Sequence, residues 1–197
     1  MGAAGADSPD RTLAGEDVAA NPKTLSQCST MWMATSTGRL FITANADAEP
    51  DTAATFTRID TSTLAPNRFV SGIAFDPANA NHAWISYSGY SRTTLSTPRH
   101  VFEVNYDPKT QTATFVDRSR NLADLPISDV AYDPVTGDLY ASSDFGVYRV
   151  RGGFTQWNLA ASGMPNVGFV ADNRAGSPRA VRGSPRAGSL GVEAEVG

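Results

Sequence analysis

The chain has 197 residues, a formal net charge of −4 and only two lysines, Lys23 and Lys109, among scattered arginines. That mildly acidic balance argues against a nucleic-acid binder, which would show a basic stripe or patch, and no membrane-surface signature accompanies it. A single cysteine, Cys28, excludes an intrachain disulfide, and no apolar run is long enough for a membrane-spanning helix.

Residues 1–30 are rich in Gly, Ala, Asp, Ser and Pro and follow no period. They are expected to be disordered or poorly packed. Met1 to Ala20 has no apolar central region, so it is not a secretory signal peptide. The chain is expected to be cytoplasmic or to take an export signal from an upstream piece. Order is expected from Met31-Trp32-Met33. The stretches Trp32 to Thr35, Leu40 to Ala44 and Thr55 to Ile59 read as the second, third and fourth strands of a partial unit.

A complete unit follows. Val70 to Asp76 is a short apolar run that ends in Asp76-Pro77-Ala78-Asn79-Ala80-Asn81, a turn by composition. His82 to Ser88 holds Ala83-Trp84-Ile85 as a second strand, followed by a polar loop to Arg99. Val101 to Tyr106 alternates, with Phe102, Val104 and Tyr106 on one face. Asp107-Pro108-Lys109-Thr110 turns the chain into a fourth strand, Thr112 to Asp117. The order then recurs: Ile127 to Asp133, Asp138 to Ser143, Gly146 to Arg151, and Phe154 to Leu159 after the tight Gly152-Gly153 turn. Asn166 to Ala171 reads as the first strand of another unit.

The two units share the pattern Val70-Ser71-Gly72-Ile73-Ala74-Phe75-Asp76-Pro77 and Ile127-Ser128-Asp129-Val130-Ala131-Tyr132-Asp133-Pro134, 57 residues apart. A strand repeat of that length points to propeller blades. The predicted architecture is all-β: an incomplete β-propeller of about two to three four-stranded antiparallel blades over residues 31–172. A β-sandwich of about eleven strands is the competing arrangement. An unclosed array leaves strand faces open, so further blades from another chain are expected as a partner. Residues 173–197 repeat Gly-Ser-Pro-Arg-Ala without one aromatic ring and are expected to form a disordered tail. The abrupt change near Arg174 reads as a frame shift or truncation.

Ile73-Ala74-Phe75-Asp76-Pro77, Ala83-Trp84-Ile85-Ser86-Tyr87-Ser88-Gly89-Tyr90 and Asp138 to Tyr148 resemble the sialidase-related propellers with neuraminidase-type (BNR, or Asp-box) repeats. This group includes sortilin-like and xyloglucanase-like modules. The resemblance covers about Trp32 to Val170. It implies a secreted, glycosyl-hydrolase-like propeller. The group's Ser-x-Asp-x-Gly-x-Thr-Trp box is incomplete here: Val150 to Trp157 keeps the glycines and Trp157 but not the Ser or Asp.

Glycoside hydrolysis needs two carboxyl groups flanking the scissile bond. Glu103 and Asp117 read as outward-facing on outer strands, and Asp76 and Asp133 as turn formers before proline. Asp129 and Asp144 remain as catalytic candidates: Asp129 stands where the other repeat has Gly72, and Asp144 closes a second strand at a loop. Arg68, Arg92 and Arg99 are the loop arginines. Tyr87, Tyr90 and Arg92 are the candidate ligand contacts, Tyr90 as an exposed ring and Tyr87 with packing between blades as its competing role. Trp84, Tyr140 and Trp157 read as core. His82 and His100 are expected to make local hydrogen bonds, and no His/Cys spacing points to zinc, so no metal or cofactor is expected.

Three functions fit: a carbohydrate-active propeller segment that is inactive alone, a noncatalytic scaffold that binds glycan or protein, and a truncated product without a function of its own.

Overall fold

The computed structural model describes residues 18–20, 29–96, 99–160, 169–172 and 179–182. The strands are β1 (Val18–Ala20), β2 (Met31–Thr35), β3 (Leu40–Thr43), β4 (Thr57–Arg58), β5 (Val70–Asp76), β6 (Asn79–Tyr87), β7 (Val101–Asp107), β8 (Thr112–Asp117), β9 (Ile127–Asp133), β10 (Asp138–Ser143), β11 (Gly146–Val150), β12 (Asn158–Leu159), β13 (Phe169–Asp172) and β14 (Arg179–Arg182). They form three four-stranded sheets in the orders β1-β2-β3-β4, β5-β6-β7-β8 and β9-β10-β11-β12, plus the pair β13-β14. Every ladder is antiparallel. Each sheet is a simple meander, the form of a propeller blade.

The repeat is structural. Ile73 pairs with Ile85 in the middle of β5–β6, and Val130 pairs with Ala141 in the middle of β9–β10. Ser71 and Ser86 place their hydroxyls 3.0 Å apart, and Ser128 and Ser142 do the same at the equivalent positions. The first strands pack against one another, β5 touching both β1 and β9, and β13 touching β9. The Ser71 hydroxyl donates to the Ile127 carbonyl across that seam at 2.6 Å.

Alternation explains how the middle sheet is sealed on both faces. Along β6, Ala83, Ile85 and Tyr87 enter a core shared with Trp32, Ile42 and Ile59 of the first sheet. Trp84 points the other way, into a core with Ile127, Val130, Leu139 and Trp157 of the third. Successive strand residues address opposite faces, so an apolar run is required where both faces are covered. A two-layer sandwich would cover one face per sheet; here the second sheet lies between two others, which excludes that arrangement.

Aromatic side chains seal the blade junctions. The Trp84 and Tyr132 rings stack across the second junction, with centroids 4.0 Å apart. Trp32 donates its indole N–H to the Ala80 carbonyl of the next blade at 2.8 Å, and Trp157 donates to the Arg118 carbonyl of the preceding blade at 2.8 Å. A buried indole needs such an acceptor.

Several boundaries differ from the sequence expectation. The first blade is whole, because Val18–Ala20 supplies its innermost strand; a three-residue Val-Ala-Ala run carries no readable period. The hairpin after β5 is tighter than expected. Asp76 pairs with Asn79, and the Asp76 carboxylate accepts the Ala78 N–H at 2.9 Å, which closes the turn. The rim strand β12 is confined to Asn158–Leu159, since Phe154 stays exposed beyond the Gly152-Gly153 turn. Where the terminal segments 1–30 and 173–197 are described, Val18–Ala20 and Arg179–Arg182 are strands; the remaining expectation of disorder in 1–17, 21–28, 173–178 and 183–197 lies outside the described residues, as does the frame change near Arg174. Of the expected strand Asn166 to Ala171, the described part begins at Phe169.

Candidate functional site

The blade ends differ. One carries the tight turns after β5, β7, β9 and β11. The other carries the loops between second and third strands and the crossings between blades. Tyr87, Tyr90, Arg92 and Asp144 all belong to this second end, and Asp129 lies near it on β9.

The loop after β6 is built around a polar knot. Asp124, on the crossing between the second and third blades, accepts the Ser91 N–H at 2.7 Å. The same carboxylate oxygen lies 2.9 Å from Nε2 of His100. His100 is 2 % exposed, and its Nδ1 sits 3.3 Å from the Tyr87 carbonyl. Ser119 accepts the His100 and Val101 N–H groups at 2.9 and 3.0 Å. Arg68, also buried, donates to the carbonyls of Gly89 (3.1 Å) and Arg99. Both flanks of the loop are therefore fastened to one guanidinium and one carboxylate.

Burial shapes the charges of this knot. It pushes His100 below its ordinary range, against the Asp124 hydrogen bond that pulls it up. It lowers Arg68 also, again opposed by Asp124. Asp124 itself is held below the usual carboxylate range, first by the Ser91 N–H. Hydrogen bonds to a carboxylate favour its charged form, whereas desolvation disfavours any cation.

The candidates fare differently. Tyr90 and Arg92 are exposed together on the fastened loop, Tyr90 at 52 %. Phe145, 53 % exposed, and Phe69, 46 % exposed, crown the same end. Tyr87, expected among the ligand contacts, does not reach the surface: β6 alternation sends it into the junction between the first two blades, edge-on to Phe102 at 5.6 Å. Burial raises its phenol above the ordinary range, and its hydroxyl has no hydrogen-bond partner among the described residues. Asp129 is only 7 % exposed, and its carboxylate accepts the N–H of Val130 at 2.8 Å. Asp144 is exposed at the β10–β11 turn. The structure therefore does not bring Asp129 and Asp144 together as an accessible pair. Asp124 was missed in the sequence, although a lone acid in a crossing between predicted strands was the available signal.

At the opposite end His82 lies between two carboxylates, its Nδ1 3.1 Å from Asp76 and its Nε2 3.0 Å from Glu103. Among the described residues no cluster of three or more His, Cys, Asp or Glu is placed to hold a metal ion.

No family model matches the chain, and no curated protein matches it. Solved structures do. An auxiliary nutrient binding protein from Bacteroides thetaiotaomicron superposes with a TM-score of 0.53 at 10 % identity, over 78 % of this chain and 32 % of that one. The GH74 enzyme of Niastella koreensis gives 0.51 at 18 % identity, over 80 % and 24 %. A chain of the COPII outer coat vertex on membranes gives 0.55 at 13 % identity, over 79 % and 40 %. The chain thus spans between about a quarter and two fifths of the proteins it resembles. At these identities the likeness is one of fold, and it agrees with the blade geometry: the chain is a partial β-propeller.

Proposed function

We propose that this chain is a carbohydrate-binding propeller segment, inactive as a hydrolase by itself, and that it holds glycan on the loop end of its blades. The observation that carries the reading is the exposed Tyr90 on a loop fastened by Asp124, with Phe69 and Phe145 exposed at the same end. Flat rings stack on sugar faces, and a ring held by a rigid loop loses little entropy on binding. Arg92 supplies donors beside Tyr90. Asp129 argues against hydrolysis, because a carboxylate enclosed by its own blade junction does not flank a scissile bond. Likeness to a nutrient binding protein and to a GH74 enzyme supports the carbohydrate class. A sialidase-type ancestry belongs to the same reading, through the Ile73 to Pro77 and Asp138 to Tyr148 motifs.

A second reading, a protein partner on the same face, is favoured by exposed Leu64 and Leu95 at that end. A glycan array together with a panel of chromogenic glycosides separates these. Binding without turnover, lost in Tyr90→Ala, supports the proposal. Turnover would return the chain to the hydrolases, and no binding to any glycan would favour the protein partner.

A further inference from the structure

The junction between the second and third blades holds a cleft of about 300 Å³, lined from the tight turns after β9 and β11 and from the crossing after β8. That lies at the lower end of the range for small-molecule sites. Its lining includes the stacked Trp84 and Tyr132, the pair Glu103 and Arg118, and Arg120 and Arg151. Past Arg151 and Phe154 a neighbouring hollow of about 440 Å³ continues along Arg149, Gln156 and Asn158. None of the residues that carry the loop-end site takes part.

Charge is unbalanced in this cleft. Glu103 is taken up twice, by Arg118 through both guanidinium contacts and by His82 at 3.0 Å. Arg120 donates to the Phe154 carbonyl, a neutral acceptor. Among the described residues, no carboxylate pairs with Arg120 or Arg151. Arg120 also sits at φ +48, in the left-handed region. A non-glycine residue is uncommon there and tolerated only where the surroundings fix it. The Asn121 side chain does so, bonding the Trp157 backbone in both directions at 2.7 and 3.0 Å. The result is two arginines without a carboxylate partner among the described residues, beside the half-buried Tyr132.

We propose that this cleft is a binding site for an anionic group carried on a sugar ring, with the anion taken by Arg120 and Arg151 and the ring set against Tyr132. Guanidinium groups match carboxylate and phosphate oxygens with charge-assisted hydrogen bonds, which are the strong ones. The site is independent of the loop-end reading, because it shares no residue with it.

Calorimetric titration of the whole chain with D-glucuronate, glucose 6-phosphate, inorganic phosphate and glucose tests the idea. One or both anionic sugars are expected to bind at least about tenfold tighter than glucose, and which one binds tells carboxylate from phosphate. Arg120→Asn, which tolerates the same backbone conformation, combined with Arg151→Gln should abolish that preference while circular dichroism and melting stay unchanged. Tyr90→Ala should leave it intact. Equal affinity for glucose, no binding by either anionic sugar, or an unaltered preference in the folded double variant would overturn the proposal. Inorganic phosphate binding as tightly as glucose 6-phosphate would overturn the ring contact.

Discussion

The carboxylate of Asp129 occupies the space directly above Gly72, its counterpart 57 residues earlier in the repeat. A Cβ built on Gly72 would lie 2.1 Å from Asp129 Oδ1 and 2.9 Å from the Ser86 hydroxyl. The one position at which the two first-strand motifs differ in kind is therefore a contact between them. Gly72→Ala should destabilise the chain by about 1–3 kcal/mol, the usual cost of overpacking. Asp129→Ala should relieve part of that cost, so the double variant should be more stable than the sum of the singles by about 0.5 kcal/mol or more. Urea denaturation of the four proteins measures the coupling; strict additivity would place the two residues apart.

Trp84 is 8 % exposed and stacks on Tyr132 of the following blade. Trp84→Ala removes that wedge and leaves a cavity, with an expected loss of about 3–5 kcal/mol. Trp84→Phe should lose much less. Chemical denaturation compares them.

Stability should also fall on mild acidification. Burial holds His100 below its ordinary value of about 6.5. The folded chain therefore binds this proton less readily than the unfolded chain. The stability contributed by a neutral His100 is complete above about pH 6.5 and is lost as pH falls through that value toward the lower folded one. His100→Gln should flatten the dependence between pH 7.5 and 5.5. Urea midpoints at the two pH values read this directly, and an identical slope in wild type and variant would contradict it. Asp124, lowered in the same knot, contributes its own loss only at more acid pH.

Asp124→Ala should loosen the loop that carries Tyr90 without unfolding the blades. Its carboxylate is the acceptor for the Ser91 N–H, and it is itself half exposed. Hydrogen exchange at the Ser91 amide should accelerate at least about tenfold, while amides in the middle of β6 keep their protection. Glycan affinity should fall with it, because an unfastened ring must be ordered on binding.

The sequence made the second and third blades legible because their first strands share one motif and end in Asp-Pro turns. Asp76 and Asp133 do close those turns, Asp133 accepting the Val135 N–H at 2.9 Å. The first blade was only partly legible. Its inner strand, Val18–Ala20, is too short for a period. The site was harder to read. Tyr90 and Arg92 could be placed on a loop by the flanking Gly89 and Ser91. Whether Tyr87, three residues earlier, faced solvent or a neighbouring blade depended on a sheet that sequence spacing does not locate. Asp124 and Arg68 lie 56 residues apart yet fasten the same loop; no local pattern joins them.

The blades stand side by side, sealed by rings from successive repeats. Nuclear Overhauser contacts between the aromatic protons of Trp84 and Tyr132 test this most directly. With ring centroids 4.0 Å apart, strong cross-peaks are expected, together with one from the Trp32 indole N–H to Ala80. Well-resolved spectra with neither contact would contradict the arrangement.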